Sequence, residues 1–371
     1  MGPFRGGKEG RSMKVAVIGC GYWGPNLVRN FVQLNTVEQL TCCDLDQNKL
    51  ERMKHLYPSV ETVPDYKGLL DRPDLDAVAI ATPVKTHYGI AKEFLLAGKN
   101  VFIEKPLTHS YETALELVRL AEENRKVLMV GHTFEYTAAV NKIKSLIENG
   151  ELGKVLYISS IRVNLGLFQS DINVVWDLAP HDISIILYLL GETPVSVNSQ
   201  GKAHFQPEIE DVATTTLNFK NGIIAFIQSS WLDPNKIRKT TIVGSKKMLV
   251  YDDIEPQEKI KIYDKGIDVP PYYDTYGDFQ FSYRYGDISS PRIIDFEPLK
   301  KVCDHFLKCI QKGIHPLSDG LSGLRVVSVL EAASKSLKLS GKAIPLNGLH
   351  KVLHYWSKAN GNSHGFVCAN G

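Results

Sequence analysis

The stretch "VIGCGYWGPNL", Val17 to Leu27, decides how the rest of the chain is read. It completes the apolar run "KVAVIGC" (Lys14–Cys20), which has the composition of a buried strand, and Pro25 suits the first turn of a helix running to about Leu34. Between strand and helix stand Gly19, Gly21 and Gly24, in the pattern Gly-x-Gly-x-x-Gly. In such a loop the first glycine permits a tight turn, and the second lets backbone approach a pyrophosphate. The third lets helix and strand pack closely, with phosphate charge at the helix N-terminus. The next strand, "QLTCCD" (Gln39–Asp44), ends in an acid 20 residues beyond Gly24, where a carboxylate accepts hydrogen bonds from the adenosine ribose. Asp44 would repel a 2′-phosphate, and no Arg follows it in Leu45-Asp46-Gln47-Asn48. The loop therefore predicts a dinucleotide cofactor, NAD in preference to NADP.

Outward from this loop, short apolar strands alternate with helical stretches. "LDQNKLERMKHLY" reads as a second helix ended by Pro58, and "DAVAIATP" (Asp76–Pro83), "NVFIEKP" (Asn100–Pro106) and "KVLMVG" (Lys126–Gly131) read as strands. Helices over about Tyr88–Ala97 and Ser110–Asn124 separate them. The alternation predicts an α/β architecture, a Rossmann domain with a doubly wound parallel sheet over 13–131. Past a helix at about Ala138–Asn149 the texture changes to β-rich runs such as "GKVLYISSIRV", "DVATTTLNF" and "IIAFIQSSW", with Asn221-Gly222 as a hairpin signal. Helices at about Leu299–Lys312 and Gly320–Ser340 follow. The second domain, 132–346, is thus expected to be α+β with a mainly antiparallel sheet. Residues 1–12 read as a flexible extension and 347–371 as a tail.

Composition narrows the function. A chain of 371 residues exceeds one ordinary core, which favours two domains. Forty-three Lys and Arg balance 41 Asp and Glu, for a net charge of +2, which gives no support to a nucleic-acid groove or an anionic membrane surface. No apolar run approaches the roughly 20 residues of a membrane span, and the first twelve residues lack the apolar core of a signal peptide. The six cysteines have neither metal-site nor disulfide-framework spacing, so a reducing, cytoplasmic setting without a bound metal is expected.

The stretch "VVWDLAPHDISIILYLL" (Val174–Leu190) poses the main question about chemistry. Pro180 is best tolerated in a first turn, which would put the N-cap near Asp177. Ile183, Ile186, Leu187 and Leu190 form an apolar stripe, while Asp177, His181, Ser184 and Tyr188 line a narrow polar strip. On the residues alone Asp177 and His181 read first as a capping residue with a satisfied neighbour, and second as a proton-transfer pair.

Taken together, "GCGYWGPN", "IATP" followed by His87, "EKPL" and "WDLAPHD" resemble the glucose–fructose oxidoreductase/inositol dehydrogenase family, Gfo/Idh/MocA, over about Met13 to Leu346. Within it the chain looks closest to members acting on nucleotide-activated sugars, such as UDP-N-acetylglucosamine 3-dehydrogenases. The resemblance implies a large open sheet in the second domain that mediates a homodimer or homotetramer. It implies that the glycine loop, with Tyr22 and Trp23, and the Thr82-Pro83 turn with His87 close by contact the cofactor. Glu104-Lys105-Pro106 would lie at the nicotinamide end, with Pro106 following a cis bond and Lys105 touching both cofactor and substrate hydroxyl. Asp177 and His181 would be catalytic. In that case a neutral His181 takes the hydroxyl proton as hydride leaves the same carbon. Asp177 orients the ring, and the Lys105 ammonium stabilises the developing alkoxide.

Other candidates carry two readings each. Lys236 and Arg238, beside Trp231, could hold a sugar diphosphate with the aromatic stacked on a base, or form a solvated turn. Arg162 and Asn164 could contact substrate. His132 could face the cleft or serve the core, and "PPYYDTYGDFQFSYRYGD" could be a substrate lid or a packing segment. The leading expectation is oxidation of a sugar ring hydroxyl, such as C3 of UDP-N-acetylglucosamine. An inositol or free-sugar dehydrogenase, an NAD-dependent glycosidase using transient C3 oxidation, and an NAD-responsive binding protein stand as rivals.

Overall fold

The structure, a computed structural model, describes residues 11–268 and 282–359. The chain divides into two compact units, Met1–Tyr136 with Glu297–Glu331 and Thr137–Phe296 with Ala332–Gly371. The first unit alternates β1 (Met13–Ile18), α1 (Gly24–Val32), β2 (Val37–Cys43), α2 (Gln47–Leu56), β3 (Glu61–Val63), α3 (Lys67–Leu70), β4 (Ala77–Ile80), α4 (Val84–Leu96), β5 (Asn100–Ile103), α5 (Tyr111–Glu123) and β6 (Leu128–Val130). All six strands are parallel, in the order β3-β2-β1-β4-β5-β6. β1, β4 and β5 are buried along nearly their whole length, as parallel strands covered on both faces must be. Val15 and Val17 of β1 share one core with Leu27, Val28 and Phe31 of α1. Strand order reverses between β1 and β4, and an open α/β sheet binds ligands outside the strand ends at that switch point.

In the second unit, α6 (Ala138–Glu148), β7 (Val155–Val163), α7 (Val174–Leu190), β8 (Ser196–Lys202), β9 (Val212–Asn218), β10 (Ile224–Ser230), β11 (Ile237–Gly244), β12 (Met248–Asp252), β13 (Ile260–Asp268) and β14 (Ser282–Ser289) come first. α8 (Pro298–Lys312), α9 (Gly320–Lys338), β15 (Ile344–Pro345) and α10 (Asn347–Ala359) complete the chain. The nine-stranded sheet runs β14-β13-β12-β11-β7-β10-β9-β8-β15, antiparallel except between β7 and β10. The β9–β10 hairpin turns at Asn221-Gly222, where Gly222 has a φ of 86°. α7 packs across β7, β9 and β10. Ile158, Ser160 and Arg162 of β7 and Ala225, Ile227 and Ser229 of β10 are the buried, alternate positions. The intervening Tyr157 and Phe226 are exposed, with ring centroids 6.4 Å apart.

Four features differ from expectation. Glu297–Glu331, placed by sequence in the second domain, folds with the first unit. Its α8 buries Leu299, Val302, Cys303 and Phe306 in the same core as Phe102 and Met129. Ser318 then extends the β6 edge, its O accepting from Val130 N (2.8 Å) and its Oγ donating to Val130 O (2.7 Å). The supposed tail contains α10, docked by buried Leu349 and by His350, whose Nε2 lies 3.0 Å from Pro194 O. α7 begins at Val174 rather than near Asp177. Of the supposed lid, residues 270–281 lie outside the described residues, and its end is β14. No helix among the described residues is long and apolar enough to cross a membrane.

Candidate cofactor and active-site elements

Five turns of the first unit follow the C-terminal ends of β1, β2, β4, β5 and β6, and they carry its candidate residues other than His87, which lies on α4. Gly19 has a φ of 94°, and a Cβ there would lie 2.9 Å from the Ala81 backbone. A Cβ on Gly24 would run into the Gly19 carbonyl oxygen. A Cβ on Gly21 would meet nothing within 4 Å, so the space beside this backbone is open to an approaching phosphate. The N-cap of α1, Trp23, makes no side-chain cap hydrogen bond, so the helix offers its positive end to an anion. Tyr22 and Trp23 are exposed beside it. Asp44 is fixed from two sides, Oδ2 accepting from Cys20 N (2.7 Å) and Oδ1 from Asp46 N (2.9 Å). These residues fit an adenine dinucleotide, with pyrophosphate at α1 and ribose at Asp44. Lys49 Nζ, 3.4 Å from Asp44 Oδ1, places a cation beside that carboxylate, one residue beyond Leu45-Asp46-Gln47-Asn48.

His87 was expected among the cofactor contacts, but it is buried. Its Nε2 lies 2.8 Å from Thr82 O and its Nδ1 3.0 Å from Pro106 O. A neutral ring donates to one carbonyl at a time, and burial lowers the imidazole pKa. His87 is therefore a strut that ties the Thr82-Pro83 turn, where Pro83 caps α4, to the Glu104-Lys105-Pro106 turn. The Lys105–Pro106 bond is cis, as the family resemblance implied. Glu104 is buried, with Oε2 accepting from Lys105 N at 3.3 Å and Oε1 lacking a protein partner. Burial raises its carboxyl to about 7, against the opposing Lys105 charge.

His132 is also core rather than cleft-facing: it is 1% exposed, and among the described residues neither ring nitrogen has a hydrogen-bond partner. Burial, reinforced by the Lys105 charge, lowers its pKa to about 3. The sign follows from linkage. An unfolded His132 binds a proton near pH 6.5 and the folded one does not, so stability is lost as pH falls from 6.5 towards 3. Glu104 acts oppositely between its ordinary 4.5 and about 7, where the folded state binds the extra proton. His132→Gln isolates the first effect. Relative to that variant, the wild type is expected to lose about 1.4 kcal/mol per pH unit below 6.5, on the order of 4–5 kcal/mol in all. Urea unfolding of both proteins at several pH values reads this directly. Parallel stability curves would show that the imidazole is solvated.

In the second unit the decisive element is α7. Its N-cap is Asn173, whose Oδ1 accepts from Trp176 N at 3.2 Å. Asp177 thus lies in the helix, its N donating to Asn173 O (3.1 Å), and Pro180 sits inside the helix too. Despite this shift Asp177 and His181 remain one helical turn apart on one face. Of the rest of the strip, Ser184 is buried with Oγ donating to His181 O (2.9 Å), and Tyr188 Oη donates to Asn141 Oδ1 (2.9 Å).

Two sequence candidates are engaged with acids of α7. Arg162 is buried and forms a fork on Asp182, with Nε donating to Oδ2 (2.6 Å) and an Nη to Oδ1 (3.2 Å), while Ser160 Oγ donates to Oδ1 (2.7 Å). Its guanidinium joins β7 to α7. Trp231 is 1% exposed and cannot stack on a base; its Nε1 donates instead to Asp177 Oδ2 at 2.9 Å. Arg238 pairs across the sheet with Arg162, and an Nη lies 3.4 Å from Asp253 Oδ2. Asn164 N donates to Ser230 O (3.2 Å), and Lys236 is exposed in the turn before β11. The partnership of Asp182 with Arg162 and the Trp231–Asp177 bond are not legible in the sequence, both being contacts between residues distant in the chain. Among the described residues no cluster of three or more His, Cys, Asp or Glu could hold a metal ion.

Comparison with known proteins adds a further observation. Residues 13–132 match the oxidoreductase family GFO/IDH/MocA, NAD-binding Rossmann fold, and residues 140–250 match the GFO/IDH/MocA C-terminal domain. Myo-inositol 2-dehydrogenase of Thermotoga maritima is 26% identical over 347 residues, spanning 88% of this chain and 96% of that protein. UDP-N-acetylglucosamine 3-dehydrogenase of Acidithiobacillus ferrooxidans is 26% identical over 319 residues, 85% of this chain and 94% of that protein. A solved structure of the Acidithiobacillus ferrooxidans 3-dehydrogenase superposes with a TM-score of 0.74 at 22% identity, covering 89% of this chain and 99% of that one.

Proposed function

The chain belongs to the GFO/IDH/MocA oxidoreductase family, and from that premise we propose that it is an NAD-dependent dehydrogenase of a nucleotide sugar, oxidising a ring hydroxyl such as C3 of UDP-N-acetylglucosamine. Lys105, Asp177 and His181 are its catalytic residues in this reading. The observation that carries it is the pair Asp177 and His181, one turn apart on α7, with the carboxylate already held by a buried indole N–H. Bound NAD supplies the hydride acceptor. A neutral His181 takes the hydroxyl proton as the C–H bond breaks, and the ionised Asp177 steadies the ring and the charge that appears on it. The Lys105 ammonium donates to the substrate oxygen while that oxygen carries negative charge. Alcohol and NAD thus become ketone, NADH and a proton.

A second reading, an inositol or free-sugar dehydrogenase, has its own support. The myo-inositol 2-dehydrogenase relative covers as much of the chain. Of the two candidates for a diphosphate, Arg238 is engaged with Asp253, which leaves Lys236 as the exposed cation, and the substrate candidate Arg162 is engaged with Asp182. The exposed Tyr157 and Phe226 fit a sheet face buried in a homodimer or homotetramer, and a cytoplasmic setting accords with the free, buried state of the five cysteines among the described residues. The test is a panel of nucleotide sugars, free sugars and inositols, followed by NADH absorbance with NAD and separately with NADP. NADH formed from UDP-N-acetylglucosamine supports the leading reading, and NADH formed only from inositols replaces it with the second. A glycoside cleaved without net NADH would make the protein an NAD-dependent glycosidase.

A further inference from the structure

We infer that Trp231 is a positioning residue for the acid–base pair on α7, its indole N–H fixing the Asp177 carboxylate and through it the His181 ring. The inference rests on the dehydrogenase reading given above. Trp231 immediately follows β10 and is held by backbone on both sides, its N donating to Asp211 O (2.9 Å) and its O accepting from Gly166 N (3.1 Å). Gly166 is needed for that approach, since a Cβ there would lie 3.0 Å from Trp231 Cδ1. Phe168 packs on the indole at 5.4 Å between centroids and an angle of 53°, and is itself flanked by Phe205 at 5.5 Å. The ring therefore has little freedom, and its single donor meets Asp177 Oδ2 at 2.9 Å. A buried N–H left without an acceptor is costly, so ring and carboxylate hold each other in place.

This geometry gives Trp231 a role it would lack as mere core. A carboxylate free to rotate about its χ angles steadies an imidazole one turn away only part of the time. One fixed by a charge-assisted hydrogen bond does so in every encounter. Trp231→Phe keeps an aromatic ring and removes the donor. A β-(benzothiophen-3-yl)alanine at position 231 keeps the bicyclic shape and replaces the N–H by sulfur, which guards against a packing defect in the phenylalanine variant. With the substrate found in the panel, both variants are expected to lower kcat by about 10- to 30-fold and to leave KM for substrate and NAD within about two-fold. In an Asp177→Ala background the same changes at Trp231 should lower kcat no further, because the group through which they act is gone. Additive losses in that background, or a rise in KM at unchanged kcat, would make Trp231 a packing residue and overturn the inference. Wild-type protein that transfers no hydride from any member of the panel removes the dehydrogenase reading itself. That failure is visible before any variant is made, and the inference falls with it.

Discussion

His181→Ala is expected to lower turnover by ~10²–10⁴-fold while NAD affinity stays within about two-fold of wild type. The effect is large because no neighbour can replace the lost base. Asp177 precedes it by a helical turn and is tied to the Trp231 indole, so its carboxylate is not free to swing into the vacated place. Ser184 turns its hydroxyl back onto the His181 carbonyl, and Tyr188 is bonded to Asn141. Cofactor affinity should survive because the glycine loop, Asp44 and the Thr82-Pro83 turn all belong to the first unit, whereas His181 belongs to the second. Stopped-flow NADH absorbance and calorimetric titration with NAD read the two quantities separately. Chemistry should also become fully rate-limiting, so deuterium on the oxidised carbon should slow the variant more than it slows the wild type. Unchanged turnover would remove His181 as the base. Lost NAD binding would instead point to a folding defect.

The parts of this arrangement that sequence makes legible are those set by local physics. Parallel strands buried on both faces must be apolar throughout, so "KVAVIGC", "DAVAIATP" and "NVFIEKP" announce β1, β4 and β5. The turn after β1 announces itself because only glycine fits beside the Ala81 backbone at a φ of 94°. Ser110, whose side chain accepts from Thr113 N, marks the start of α5 in the same local way. What sequence hides is long-range. The amphipathic stripe of α8 shows that it packs on a core, but not that the core is the first unit's. The strand β3, with partly buried Glu61, Thr62 and Val63, is too short and polar to show an alternation. Asn173 outcompetes Asp177 as N-cap because its side chain reaches Trp176 N, and Pro180 is then carried inside the helix. Trp231 next to Lys236 and Arg238 looked like part of a ligand surface; its partner Asp177 is 54 residues away in the chain.

Asp182→Ala is expected to destabilise the protein by roughly 3–5 kcal/mol, which is the usual cost of stranding one member of a buried ion pair. Arg162 and Asp182 have side-chain exposures of 6% and 2%. Removing the carboxylate would take its fork of two hydrogen bonds from the buried guanidinium, and from Ser160 the carboxylate oxygen at 2.7 Å. The pair itself need not be strongly stabilising, because desolvation of both charges offsets most of their attraction. Arg162→Met with Asp182→Leu should therefore recover most of the loss by filling the same volume with apolar atoms. Denaturant unfolding of the single and double variants checks both statements, and a cost below about 1 kcal/mol for Asp182→Ala would mean that Arg162 reaches water. The double variant also separates the two readings of Arg162. If its guanidinium binds substrate, KM rises in a protein whose stability has been restored. If it serves only to join β7 to α7, as the fork on Asp182 indicates, the repacked protein keeps its KM, and His181, the residue before Asp182, keeps its place on the helix.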